Sequence, residues 1–274
     1  MIDMSEKTES LADWTESRIL RGYYTFTRGD VRTQFPDISD DYLKLSLHRL
    51  VSRGKIVSPW RNFYVIMPVE YALKGVIPPV FYIDKLMEFL NRKYYVSLLN
   101  AAAFYGAAHQ RAQTYTVTVE LPAIRDTKKN GVSISFISKK EIPEGYVVKH
   151  KTQTGYVNVS SPELTAVDLI ENEKKIGGLN RVCTVLNELV ESVDINKMDE
   201  CFLYAAPISV FQRLGYILDN ILEREEMASS LYERLLSADI KFRKTPFKVG
   251  KPIEGCETDG KWKIIINQEI DIDE

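Results

Sequence analysis

Residues 27–66 read TRGDVRTQFPDISDDYLKLSLHRLVSRGKIVSPWRNFYVI, and the order of elements encoded there decides the fold. Thr27 precedes a short polar segment with Asp30 three residues on, the pattern of a helix N-cap with an acid in the first turn. Val31 and Phe35 lie four apart on one face, and Pro36 stops this helix. Ser39 caps a longer helix, Asp40 to Arg53, which Gly54 ends. Within it Leu43, Leu47, Leu50 and Val51 form one apolar stripe. The opposite face carries Tyr42, Leu45, His48, Arg49, Ser52 and Arg53. Lys55-Ile56-Val57 and Phe63-Tyr64-Val65-Ile66 read as two short strands around a turn holding Pro59, Trp60, Arg61 and Asn62. Upstream, Leu11, Trp14, Ile19 and Leu20 predict a first helix near residues 8–20.

Helix, short helix, turn, longer helix and basic hairpin is the order of a winged helix-turn-helix. The charge pattern suits such a head. Arg18 to Ile66 holds nine Lys or Arg and four acids, net +5, while the rest of the chain is net −7. A basic head on an acidic body points to a polyanion. The longer helix fits a major groove, and its outer face offers a guanidinium, an imidazole and hydroxyls. Arg28, Tyr42, His48, Arg49 and Ser52 are the expected groove residues; Arg53, Lys55 and Arg61 are the expected phosphate contacts. The rival reading is a winged helix used only as a protein-interaction module that does not bind DNA. Tyr42 and Leu45 favour it, since exposed apolar groups mark protein contacts.

The expected organisation is a head over 1–68, a connecting segment over 69–90 broken by Pro78-Pro79, and a larger mixed α+β domain over 91–274. Tyr94 to Tyr105 is the most apolar stretch, with small residues that allow close helix packing, ended by Gly106. Thr114 to Leu121 alternates and is rich in β-branched residues. Lys128-Lys129-Asn130-Gly131 supplies a hairpin turn before the strand from Val132 to Ser138. Ser161-Pro162-Glu163 starts a helix, with Pro at its first position. Helices follow around 179–193, 199–205, 209–222 and 227–238, and Trp262 to Asn267 reads as a strand before an acidic tail.

At 274 residues, with 45% apolar and 27% charged side chains, the chain can build its core without staples. Three scattered cysteines (Cys183, Cys201, Cys256) form no disulfide framework and point to a reducing compartment. Met1 to Asp13 lack the apolar core of a signal peptide. No run approaches a membrane span. The expectation is a cytoplasmic protein without a membrane partner, consistent with a mean hydropathy of −0.20.

Chemistry is sparse. The three histidines (His48, His109, His150) have no metal spacing with any cysteine pair, and no phosphate-cradling or nucleophile-elbow motif occurs. Asp271 and Asp273 read as a solvated tail in preference to a metal pair. Asp126, Lys128 and Glu141 make an unconvincing nuclease set, and Asp168, with no base or nucleophile partner legible in the sequence, is expected to be a surface or interhelical contact. The chain is expected to be neither an enzyme nor a cofactor binder.

Several blocks in fixed order carry a family resemblance. They are Tyr95-Val96-Ser97-Leu98-Leu99-Asn100-Ala101-Ala102-Ala103-Phe104-Tyr105-Gly106, Ser160-Ser161-Pro162-Glu163-Leu164-Thr165-Ala166-Val167-Asp168-Leu169, Gln212-Arg213-Leu214-Gly215-Tyr216-Ile217-Leu218, and the closing block from Trp262 to Glu269. With the head, these resemble the AbiEi family of type IV toxin–antitoxin antitoxins. Phe104-Tyr105 departs from the more usual Leu-His of that family. The resemblance implies a transcriptional autorepressor that binds inverted repeats of double-stranded DNA in its own promoter. It also implies a C-terminal domain that counteracts a cognate nucleotidyltransferase toxin in phage defence, without need of a stable complex. The family supplies no catalytic residues to carry over.

Overall fold

The computed structural model describes residues 10–108 and 112–271 and shows a mixed α+β chain. In order, the elements are α1 (Leu11–Leu20), β1 (Thr25–Thr27), α2 (Arg28–Gln34), α3 (Asp40–Ser52), β2 (Ile56–Trp60), β3 (Phe63–Ile66), α4 (Val69–Ala72), α5 (Ile83–Phe89), β4 (Tyr94–Val96) and α6 (Leu98–Ala102). Then follow β5 (Thr114–Glu120), β6 (Thr127–Lys129), β7 (Val132–Lys139), β8 (Val147–Thr152), β9 (Gly155–Ser160), α7 (Pro162–Glu171), α8 (Glu173–Ile176) and α9 (Leu179–Leu189). The chain closes with α10 (Glu200–Leu203), α11 (Ile208–Asn220), α12 (Glu225–Ser237), β10 (Thr245–Pro246) and β11 (Ile264–Ile265). No helix among the described residues is long and apolar enough to cross a membrane.

Two compact units are drawn from interleaved segments. The first takes the chain up to Tyr94 together with 113–140 and 149–158, and the second takes 95–112, 141–148 and 159–274.

In the first unit, α1 and α2 both begin with a capping box. Ser10 and Asp13 exchange side-chain-to-backbone bonds, as do Thr27 and Asp30, so two orphan donors at each helix start are satisfied. Leu11 and Trp14 of α1, Val31 of α2, and Leu43, Leu47 and Leu50 of α3 share a core with Phe26, Ile56 and Ile66. The strands stack in the order β1-β3-β2, antiparallel throughout. The hairpin turn is narrower than the spacing suggests. β2 runs on through Pro59 and Trp60 with a register shift after Val57, because an edge strand tolerates a proline where its ladder is already interrupted. Only Arg61 and Asn62 remain to turn the chain, Asn62 at φ +64°. Val51 stays exposed on the last turn of α3.

The same unit contains β6, β7 and β5 in that order, with β6 antiparallel and β5 parallel to β7. The Asn130-Gly131 turn joins β6 to β7 with both residues at positive φ, the geometry of a two-residue hairpin.

In the second unit, Tyr95 and Val96 are not helical. The run from Tyr94 opens as a strand whose three residues are all buried, and Val96 pairs with Val159 of β9. Aromatic and β-branched side chains favour that state over helix. The chain then switches to α6 at Leu98, which takes a φ of +55°. α7 and α11 are the central helices. Every residue from Glu163 to Ile170, and from Val210 to Leu218, is buried. The closing strand is shorter than its sequence suggests. Only Ile264 and Ile265 pair, with Thr245 and Pro246, because Lys263 at φ +58° breaks the extended run.

Candidate functional site

The outward face of α3 carries aromatic, aliphatic, imidazole, guanidinium and hydroxyl groups together. Ser39 accepts from the Tyr42 N–H at 3.3 Å, and Asp40 and Asp41 occupy the first turn. Since Leu43, Leu47 and Leu50 point inward, helical spacing turns Tyr42, Leu45, His48, Arg49, Ser52 and Arg53 outward. All six are exposed, Tyr42 at 56% and Leu45 at 47%.

The cations expected to meet DNA divide into two groups. Arg28, half-exposed at the start of α2, pairs with Asp40 Oδ1 at 2.9 Å, and Arg32 contacts the same carboxylate. Lys55 pairs with Glu16 at 3.3 Å. Exposed pairs of this kind contribute about 0.2–1 kcal/mol, so they exchange readily for phosphate. Arg49, Arg53 and Arg61 are exposed and meet no carboxylate among the described residues. The sequence held no signal for the Asp40 and Glu16 pairings, which depend on how the helices cross.

Arg61 stands in the turn between β2 and β3. The Asn62 carbonyl accepts from the Arg28 N–H at 3.0 Å, which ties the turn to the start of α2. The Trp60 ring meets Phe136 edge-on at 6.4 Å, and the Phe63 ring lies 5.6 Å from Phe89. Deeper in the head, Arg18 donates to the Thr25 carbonyl at 2.8 Å and lies 4.9 Å from the centre of the Trp14 ring. Burial lowers its pKa, an effect opposed by Asp30.

In the second unit the residues singled out for chemistry are structural. The Tyr95 hydroxyl donates to Asp168 Oδ2 at 2.9 Å in the interior. The hydroxyls of Ser160 and Thr165 lie 2.6 Å apart, and Tyr105 donates to the Ser160 carbonyl at 2.7 Å. Burial pushes the Tyr105 phenol up to about 12. Ser161 caps α7 through the Leu164 N–H, and Glu163 accepts from the Asp194 N–H at 3.0 Å. On α11, Gln212 donates to the carbonyls of Arg243 and Trp262 at 2.8 and 2.7 Å. Asp219 accepts from Lys261 and from the Trp262 indole at 2.8 and 2.9 Å.

Residues 95–220 match the family model described as the AbiEi antitoxin C-terminal domain. This part of the chain is an AbiEi antitoxin domain. The match supports an antitoxin role in a toxin–antitoxin system. Trp262 lies past the matched span, yet it is fully buried and bonded to α11 of the AbiEi domain. Among solved structures, the crystal structure of RV2827C protein from Mycobacterium tuberculosis is similar at a TM-score of 0.65 and 16% identity, over 92% of this chain and 90% of that one. At that identity the likeness is one of fold. An antigenic nucleotidyltransferase-like protein from Paracoccidioides brasiliensis aligns at a TM-score of 0.37 and 12% identity, over 56% of this chain and 89% of that one. No curated protein matches the chain.

The other residues weighed for chemistry are dispersed. Asp126 is bonded internally, and Glu141 and Asp271 are exposed. His109 and Asp273 lie outside the described residues. Among the described residues no three His, Cys, Asp or Glu side chains gather as a metal site requires.

Proposed function

We propose that the chain is a DNA-binding autorepressor and an antitoxin of a type IV toxin–antitoxin system, counteracting a nucleotidyltransferase toxin in the cytoplasm as a non-enzymatic phage-defence component. In this reading α1 to α3 with the β1-β3-β2 sheet act as a winged helix-turn-helix. Residues 1–68 carry the DNA function, 69–90 the connection and 91–274 the antitoxin function. The observation that carries it is the exposed face of α3, where Arg49 and Arg53, beside Tyr42, His48 and Ser52, meet no carboxylate among the described residues. Arg28, Tyr42, His48, Arg49 and Ser52 suit base edges, and Arg53, Lys55 and Arg61 suit phosphates. Two copies on an inverted repeat fit such a head.

The test is a mobility shift on the DNA upstream of the gene, with the full-length chain. About six phosphate contacts make affinity fall as about the fifth power of salt. Arg49→Ala reduces discrimination between sites by about 1–3 kcal/mol, whereas Arg61→Ala weakens binding to all duplexes alike. Parent and variants that bind equally weakly refute the groove assignment. Tyr42 and Leu45 favour the alternative, a protein-interaction head that does not touch DNA; capture of a neighbouring gene product with no salt-sensitive DNA binding selects it.

The antitoxin function is tested by rescue of growth arrest when a neighbouring nucleotidyltransferase is co-expressed. Arg49→Ala separates the two functions better than truncation does, because removing residues 1–68 strips Trp60 and Phe63 from Phe136 and Phe89. Rescue that survives Arg49→Ala while repression is lost supports the division of labour. Rescue lost together with repression overturns it.

A further inference from the structure

The first compact unit holds 21 Lys and Arg against 14 Asp and Glu, net +7, and the second is net −9. Its later segments, 113–140 and 149–158, contribute seven of those cations and only two of the acids. The positive charge of this unit is therefore not confined to the helices and hairpin of residues 10–66.

The structure joins part of that extra charge to the hairpin. β2 lies against β6, and Trp60, the neighbour of Arg61, rests on Phe136 of β7. Phe136 donates its N–H to Asp126 Oδ1 at 2.7 Å, and the Ser135 hydroxyl donates to Asp126 Oδ2 at 3.0 Å. Both oxygens of that acid are thus occupied within the sheet. Arg125, Lys128 and Lys129 flank it, all exposed and with no ion pair among the described residues. Among the described residues β6 is an edge strand, paired with β7 alone. Alternation sends Lys128 and Lys129 to opposite sides of it, which makes the edge itself cationic.

We propose that the β6 edge is a second phosphate-contacting surface, engaging duplex DNA outside the stretch held by α3. The proposal rests on the DNA-binding reading above. Its competitor is a purely protective role, in which edge lysines prevent strand addition.

The experiment compares the full-length parent chain with Lys128→Gln/Lys129→Gln. It uses two duplexes from DNA immediately upstream of the gene, one of about 20 base pairs, or two helical turns, and one of about 40. The parent is expected to show steeper salt dependence on the longer duplex. Loss of two phosphate contacts makes the affinity drop between 50 and 200 mM salt about 12-fold smaller for the variant on that duplex. Binding to the short duplex stays at the parent value, which also reports that the variant is folded. The equal-charge control Lys174→Gln/Lys175→Gln, on exposed residues of α8 in the second unit, behaves as the parent. A variant with the parent's salt dependence on the long duplex overturns the proposal. So does a control that loses as much as the variant. A parent chain that binds neither duplex removes the DNA-binding reading itself, and the proposal with it.

Discussion

Replacing Gly215 by alanine is the sharpest test of how the C-terminal segment is held. In a helix interior this change ordinarily gains about 1 kcal/mol, and Gly215 lies within α11. Here a Cβ would sit 2.0 Å from Trp262 Cζ3 and 2.1 Å from Cη2. Ordinary carbon contact needs about 3.5 Å, so the indole must retreat by about 1.5 Å. It has nowhere to go. Trp262 is fully buried, stacked on Phe242 at 5.9 Å and met edge-on by Tyr232 at 5.4 Å. Its Nε1–H is spent on Asp219 at 2.9 Å. Overpacking costs about 1–3 kcal/mol, and losing a bond to a charged acceptor costs about 1.5–3. Set against the helix gain, the net is a destabilisation of about 3 kcal/mol. Urea unfolding followed by far-ultraviolet circular dichroism measures it, as a lowered midpoint at unchanged slope. In a Trp262→Leu background the same Gly215→Ala change should cost far less, because the obstructing ring is gone. A Gly215→Ala chain as stable as its parent, or an undiminished cost in the Trp262→Leu background, refutes the packing argument.

The other predictions concern charge, thiols and capping. Burial pushes the Asp219 carboxyl up, but bonds from Lys261 and Trp262 outweigh it and hold the group below its ordinary value. Its stabilising contribution is therefore present above about pH 4 and lost as pH falls through the depressed value; the stability gap between parent and Asp219→Asn should narrow on acidification, and a gap that widens is contrary. Burial pushes the Cys183 thiol up to about 12, so a thiol reagent at neutral pH should modify exposed Cys201 and half-buried Cys256 in the native chain and Cys183 only after unfolding, with a Cys201→Ser/Cys256→Ser chain reacting only once unfolded. Thr27→Ala removes the 3.1 Å bond to the Asp30 N–H and should cost about 1 kcal/mol, while Thr27→Ser keeps most of it; equal melting temperatures for the two variants contradict the capping role.

Local chemistry made much of the head legible. Thr27 with Asp30, Ser39 before two acids, and Gly54 at φ +68° set helix ends through contacts spanning a few residues. What escaped is non-local. β1 is three residues long and gains its identity only by pairing with β3, with Phe26 opposite Tyr64. β4 reads as part of an apolar run because all three of its residues are buried, which erases the alternation that marks a half-exposed strand. The exposed face of α3 followed from helical spacing. The carboxylates engaging Arg28 and Lys55 did not, and neither did the cations at β6, which reach the hairpin through a Trp60–Phe136 contact spanning 76 residues of chain.

The blocks that carry the family resemblance bond chiefly to one another and to the chain around them. Tyr95 of the first reaches Asp168 of the second, Ser160 donates toward the Val96 carbonyl at 3.4 Å, and Tyr105 returns to Ser160. Gln212 of the third holds the backbone of Trp262 in the fourth. Removing one partner of a buried polar pair strands the other at a cost of about 1–3 kcal/mol, so these positions constrain each other across long stretches of chain. That is a physical reason for short, separated blocks in fixed order to identify an AbiEi domain without pointing to any reaction. The polar atoms named here are consumed in holding the fold. Contacts with anything outside the molecule are then better sought on exposed side chains than on these buried groups.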